Sequence, residues 1–208
     1  MPRIYVIGAL VADIIFDVPD WVAPNRAVHA ARVTLSPGGK GLNQAAAACR
    51  LGADVSLAGC VGDDVFGAEL RSAIAGVGVD VDYVMTHESA RTSLAAIVVK
   101  DNVPGFIGAP DASRKITEQD IRAALADIAP DDVLLMGFEI PQNLVQLGLE
   151  LGKAATTVLN PAPFFSRDSF VLNDLSLVDV IIPNKLEAQL LTESHLDNPH
   201  ELARRLLG

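Results

Sequence analysis

The sequence predicts an α/β protein with a mostly parallel sheet covered on both faces. Three observations lead there. Short β-branched apolar runs alternate with amphipathic segments of about ten residues, the rhythm of strand–helix–strand units. Of the 208 residues, 50% are hydrophobic and 20% charged, the balance of a chain that buries a core. Glycine or proline stands where several of the helical runs stop. The length fits one ordinary domain.

Arg3–Ala9 is expected to form the first, buried strand. Ala12–Val18 and Arg32–Ser36 follow as strands, with Pro and Asn between them. Gly41–Leu51 is Ala-rich with helical spacing and stops at Gly52. Asp54–Val61 reads as a strand, and Val65–Ala75 as a helix ended by Gly76 and Gly78. Thr92–Lys100 is β-branched and strand-like. Thr117–Ile128 opens on Thr-Glu-Gln-Asp, a helix-cap pattern, and ends before Pro130. Strand Val133–Phe138, helix Pro141–Lys153, and strands Thr156–Leu159 and Val178–Ile182 come next. Helices Leu186–Glu193 and Pro199–Leu207 complete the series. Two stretches, Ile14–Ser36 and Thr92–Ala109, break the rhythm. Being strand-rich with Pro, Gly and Asn, they predict a small β excursion, a flap over the sheet edge.

Acidic residues outnumber basic ones 26 to 16, a net charge of -10. That argues against a nucleic-acid or anionic-membrane partner, each of which favours a basic patch. A local site can still oppose the global sign. The most apolar stretch, Ala45–Val61, is broken by Arg50 and Asp54, and no run reaches the roughly 18 apolar residues of a membrane span. The N-terminus enters a strand directly, without signal-peptide architecture, and no Asn-X-Ser/Thr site occurs. Cys49 and Cys60 lack metal-ligand spacing and read as buried, reduced thiols of a cytoplasmic protein. His29, His87, His195 and His200 form no cluster and are expected on the surface. Arg91 and Arg114 flank the β excursion and receive no role.

In an open α/β sheet, ligands bind beyond the carboxyl ends of the strands. Polar residues recur there. Asp13 follows the first strand, Glu139 follows Val133–Phe138, and Asn160 follows Thr156–Leu159. Asn184 and Glu187 follow Val178–Ile182. The Gly38-Gly39-Lys40-Gly41 loop opens a helix, with Asn43 in its first turn. Consecutive glycines admit close approach of a ligand, and the helix N-terminus offers N–H donors. A tight turn feeding a helix is the plainer alternative for the glycines alone. Neither a Walker A loop nor a dinucleotide fingerprint is present, which counts against a nicotinamide oxidoreductase.

Taken together, the run from Gly38 to Gly62 resembles the first signature of the ribokinase-like (PfkB) carbohydrate kinases. Gly38-Gly39, Gly41, Asn43, Ala45, Gly52 and Gly62 stand at that family's spacing. The likeness continues in Gly62-Asp63-Asp64-x-x-Gly67, Asn160-Pro161-Ala162-Pro163 and Pro183-Asn184-x-x-Glu187. It implies a three-layer α/β/α sandwich with a small β-sheet lid, the lid strands lying near residues 14–36 and 92–109. It implies an ATP-dependent kinase for a sugar such as ribose, or a related sugar or nucleoside. Asp13, Gly39, Lys40, Asn43 and Glu139 would bind the sugar. Asn160, Asn184 and Glu187 would serve nucleotide and phosphate, Glu187 also holding Mg²⁺ indirectly. ATP, Mg²⁺ and optionally K⁺ are the implied cofactors, and two copies are expected to pair through the lid.

Two departures bear on these expectations. Family members carry Gly-Ser-x-Asn-x-Asp after the first strand, whereas this chain has Gly8-Ala9-Leu10-Val11-Ala12-Asp13. Val11 replaces a sugar-binding amide, so a less hydroxylated acceptor or a nucleoside becomes a candidate. The second signature, a Gly-Ala-Gly-Asp run whose Asp is the general base, is absent. The chain is therefore expected to be the N-terminal portion of a kinase, carrying the acceptor side of the site. The alternative is a non-catalytic sugar-binding or regulatory protein of the same fold.

Overall fold

The computed structural model describes residues 2–163 and 175–207. Its main sheet has six parallel strands, β1 (Arg3–Ile7), β4 (Asp54–Gly62), β5 (Val84–His87), β8 (Val133–Gly137), β9 (Thr156–Asn160) and β10 (Val180–Ile181). They lie in the order β10-β9-β8-β1-β4-β5. β4 is buried along its length after Asp54, as its nearly uninterrupted apolar run requires of a strand covered on both faces.

The two-residue period of a strand divides the core. On one face Tyr5 and Ile7 of β1 join Leu134 and Met136 of β8. They pack under Ile121 of α3 (Glu118–Ala124) and Leu144, Val145 and Leu149 of α4 (Gln142–Gly152). On the other face Val6 of β1 meets Leu42, Ala45 and Ala46 of α1 (Lys40–Arg50). Leu70 and Ile74 of α2 (Val65–Gly76) belong to this second cluster. The expected three layers are therefore present. Helices α5 (Lys185–Leu191) and α6 (Pro199–Leu207) close the described chain.

The two stretches that break the sequence rhythm form a separate four-stranded sheet. Its strands β2 (Val11–Asp17), β3 (Arg32–Gly38), β6 (Ser93–Lys100) and β7 (Val103–Ala109) run in the order β3-β2-β6-β7. β2 pairs antiparallel with β3 and parallel with β6, and β6 pairs antiparallel with β7. Asp101 and Asn102 link β6 to β7 with positive φ of 50° and 63°, the left-handed pair that suits a two-residue hairpin.

Several boundaries differ from expectation. β5 was not anticipated, being a four-residue edge strand with mixed burial and no clear alternation. The helix expected over Thr117–Ile128 is regular only to Ala124. Beyond it the backbone tightens, Ile128 N–H reaching Leu125 O at 3.3 Å, and Asp132 accepts the Ala129 N–H at 2.8 Å ahead of Pro130. The strand expected over Val178–Ile182 keeps ladder pairing only at Val180–Ile181.

Candidate functional site

A cavity of about 850 Å³ lies where the small sheet faces the ends of β1 and β8. Asp13, Gly39, Lys40, Asn43 and Glu139 all line it. Residues far apart in the chain thus meet at the carboxyl edge of the sheet.

The start of α1 is pressed against the end of β1. A Cβ on Gly41 would sit 2.7 Å from Gly8 Cα and 2.6 Å from its carbonyl carbon. Gly39 has φ +89°, and a Cβ there would sit 2.5 Å from Ala9 O. Ala9 O in turn accepts the Leu42 N–H at 3.2 Å. Gly39 is the N-cap of α1 and supplies no side-chain bond. Glu139 supplies one instead, its Oε2 accepting the Lys40 N–H at 2.6 Å. A carboxylate at a helix N-terminus also suits the helix dipole.

Asp13 reaches the cavity from β2, where it pairs with Ser36 and Ala95. Its carboxylate packs on Gly38, where any Cβ would overlap it. Burial pushes the Asp13 carboxyl above the usual carboxylate range. Burial also pushes Glu139 up, against the Lys40 N–H, the Lys40 charge and the Gly41 N–H, with the Asp13 charge adding to the rise. Two acceptor-only groups, an amide and an ammonium around one cavity make a set that can hold a neutral, hydroxyl-bearing ligand. Val11, Ile97, Phe106, Phe138 and Ile140 give it apolar walls.

The other three expected site residues do not line this cavity. Asn160 Nδ2 donates to Ile182 O at 2.7 Å, and its Oδ1 accepts from Gln44 Nε2 at 3.4 Å, tying β9 to the β10 end and to α1. Asn184 and Glu187 form a reciprocal capping box on α5. Asn184 N–H donates to Glu187 Oε2 at 2.8 Å, and Glu187 N–H donates to Asn184 Oδ1 at 2.9 Å. Glu187 is buried, so it is not an ordinary exposed helix residue.

Arg114, given no role from sequence, lines the cavity from a short 3-10 turn after β7. No linear spacing signals it, because its position depends on the small sheet folding back. Cys60 is buried and its thiol is pushed up to about 11 by burial, whereas Cys49 is only half-buried, contrary to expectation. His29, His195 and His200 are exposed, but His87 is half-buried at the end of β5. Among the described residues, no group of His, Cys, Asp and Glu could by itself hold a metal ion. Among them too, no helix is long and apolar enough to cross a membrane.

The fold and site define an α/β protein with a cavity at its sheet edge, beneath a second sheet, lined by polar groups that suit a small hydroxyl-bearing ligand. Comparison with known proteins narrows the class. The model of the pfkB family carbohydrate kinases matches residues 1–208, and the chain belongs to that family. It is 36% identical over 192 residues to a ribokinase of Haemophilus influenzae, covering 90% of this chain and 61% of that relative. It is 30% identical over 222 residues to a ribokinase of Schizosaccharomyces pombe, covering 100% of this chain and 69% of that one. Among solved structures, the ribokinase of Cryptococcus neoformans in complex with ADP superposes with a TM-score of 0.83 at 25% identity, covering 100% of this chain and 67% of that one. The chain thus spans less than two thirds of the Haemophilus relative's length.

Proposed function

We propose that this chain carries the sugar-binding side of an ATP-dependent sugar kinase. The observation behind it is the convergence of Asp13 and Glu139 on one cavity that Lys40 and Asn43 also line. Carboxylates accept hydrogen bonds from sugar hydroxyls, and Glu139 is oriented for this by the Lys40 N–H. Relatives named ribokinase support ribose or a related sugar or nucleoside as the acceptor. Val11 lines the cavity and can form no hydrogen bond through its side chain, which favours an acceptor with an apolar flank on that side.

The solved relative with ADP supports a nucleotide as the second substrate. Asn160, Asn184 and Glu187 are the residues proposed to serve its phosphates, at the neighbouring ends of β9 and β10. A single carboxylate with one oxygen already engaged suits a water-mediated Mg²⁺ better than direct chelation. No Gly-Ala-Gly-Asp run occurs in the 208 residues, and the role proposed for them is acceptor binding, with no general base assigned. The small sheet is proposed to act as a lid and to pair with a second copy. Val33, Leu35 and Ile107 support that, being 54%, 59% and 65% exposed. Two free thiols suit a reducing, cytoplasmic compartment.

The test is sugar-dependent ADP release with Mg-ATP over pentoses, hexoses and nucleosides, paired with calorimetric titration of each sugar. A sugar that binds and is turned over establishes the kinase. A sugar that binds without turnover favours the second reading, a non-catalytic sugar-binding protein, which the missing Gly-Ala-Gly-Asp run supports. A panel in which nothing binds rejects both.

A further inference from the structure

The run Gly62-Asp63-Asp64-x-x-Gly67 stands apart from the cavity, and its chemistry is unused by the site described above. It sits where β4 passes into α2, beside the segment that leads from β5 up into β6. Asp64 is the N-cap of α2, its Oδ1 accepting the Gly67 N–H at 2.9 Å. The same carboxylate reaches across to Thr92. Thr92 Oγ1 donates to Asp64 Oδ1 at 2.6 Å, and Thr92 N–H donates to Asp64 Oδ2 at 2.8 Å. Thr92 Oγ1 also accepts the Gly62 N–H at 3.0 Å.

Space around this knot is tight. A Cβ on Gly62 would sit 2.5 Å from both Ala90 O and Thr92 N. A Cβ on Gly67 would overlap Gly62 O and lie 3.0 Å from Thr92 Oγ1. Thr92 is 2% exposed, so its polar atoms have no water to fall back on. Burial alone would raise the Asp64 carboxyl, but the bonds from Thr92, Gly67 and Phe66 hold it below the usual range.

Thr92 is the last residue before β6, and Ser93, Leu94, Ala95 and Ile97 of β6 line the cavity. The next residue continues the tie. Ser93 Oγ accepts the N–H groups of Asp111 and Ser113 at 3.1 and 3.2 Å and donates to Ser113 Oγ at 3.0 Å. The chain crosses between the sheets at two places. At Gly8–Val11 and Gly38–Lys40 the crossing is built of close backbone packing. At 89–93 and 110–114 one backbone bond, Ala112 N–H to Arg91 O at 3.0 Å, and the Arg91 N–H to Asp111 Oδ2 bond at 2.9 Å join the two segments, and the remaining side-chain hydrogen bonds converge on Asp64, Thr92 and Ser93.

We propose that the Asp64–Thr92 pair is a positioning clamp that fixes the height of β6, and with it the small sheet, over the ligand cavity. It contacts no ligand and acts through the strand. β6 is the parallel partner of β2, with Ala95 opposite Asp13, so displacement of β6 moves Asp13 as well.

Thr92→Val keeps the shape and removes the hydroxyl, leaving the Gly62 N–H and one carboxylate contact unsatisfied. The first measurement is amide hydrogen exchange on the ligand-free protein, which needs no knowledge of the substrate. Exchange over 93–109 is expected to quicken about tenfold, the effect of roughly one lost hydrogen bond, while β1 and β4 as far as Val61 keep their protection and only the Gly62 N–H of β4, which loses its acceptor, exchanges faster. Trp21, the chain's single tryptophan, lies against Gly105 of β7, and its quenching by acrylamide is expected to rise in parallel. Thr92→Ser, which restores the hydroxyl, is expected to return both readouts to wild type. Should Thr92→Val fail to fold, Asp64→Asn serves. It keeps an oxygen for the cap on α2 and sets an amide N–H against the Thr92 N–H, so the same selective loosening is expected. Unchanged exchange over 93–109, or loosening of β1 and β4 to the same degree, would overturn the clamp. A parallel titration with ribose rests on the sugar-binding function proposed above, and a tenfold weaker Kd in Thr92→Val is expected. If the wild type binds no sugar, that function fails while the exchange result still decides the clamp.

Discussion

The backbone N–H of Lys40 donates to Glu139 Oε2 at 2.6 Å, joining residues 99 positions apart in the chain. Helix α1 therefore takes its N-terminal cap from the end of another strand. The bond orients a carboxylate toward the cavity and fixes the glycine loop beside it.

Removing that carboxylate is expected to affect stability and binding together. Glu139→Ala should cost about 1–3 kcal/mol by leaving a helix N–H without its charged acceptor, as measured by urea unfolding. Glu139→Gln retains an acceptor oxygen and should recover most of the stability. If the sugar reads the charge, its affinity in calorimetry should remain reduced in Glu139→Gln.

Gly41→Ala tests the contact between α1 and β1. The new Cβ would meet Gly8 and Ala9 backbone at 2.6–2.9 Å, and neither can yield without moving the strand end. A loss of about 1–3 kcal/mol is expected, with weaker ligand binding. Gly52→Ala is the control. Gly52 has φ +96° and open space around its Cα, so about 1–2 kcal/mol of backbone strain is expected, with ligand affinity unchanged.

The pH dependence should show two opposite signs. Asp13 and Glu139 have raised values in the folded state, so the native protein binds more protons than the unfolded chain in the window between. Their ionisation opposes folding, and stability gains as pH falls through their folded values toward the unfolded ones near about 4. Asp13→Asn should thus raise Tm slightly at neutral pH while weakening ligand binding. Asp64 is held low, so its contribution is fully present above the unfolded value and is lost as pH falls through the folded one. Asp64→Asn should flatten the acid limb of a Tm–pH curve, where Asp13→Asn should flatten the gain above it.

Asn184→Ala should cost about 0.5–2 kcal/mol through loss of the α5 cap, read as a lower Tm. Glu187→Gln preserves an acceptor for the Asn184 N–H while removing the charge. If Glu187 serves Mg²⁺ through water, Mg²⁺-dependent ATP affinity should fall in Glu187→Gln with Tm nearly unchanged. Equal ATP affinity in both forms would count against that role.

Much of the architecture is legible in residue order. The apolar run Asp54–Val61 reads as a strand, and β4 is there, buried along its length after Asp54. Thr117 with Asp120 announced the capped start of α3, and both bonds of that box are present. Where propensity and burial disagreed, local reading fell short. β5 was invisible because a short edge strand carries little alternation, and the last turn of the predicted α3 was overruled by the Asp132 bond to Ala129. For the site, five residues expected to bind sugar do share a cavity, since strand ends and a glycine loop mark them one by one. Arg114 received no role, because nothing near it in sequence says that a turn after β7 returns to the cavity.

By itself, then, the order of residues determined the layered α/β class, the two excursions that leave it, and which polar groups stand at strand ends. Those are local properties, set by periodicity, β-branching and turn chemistry within windows of a few residues. Only the tertiary structure decided that Glu139 caps α1, that Asp13 lies on Gly38, and that Asp64 holds Thr92 at the foot of β6. Each joins segments 25 to 99 residues apart. Such contacts form only when packing of the two cores brings the strand ends together, and no window of sequence contains both partners.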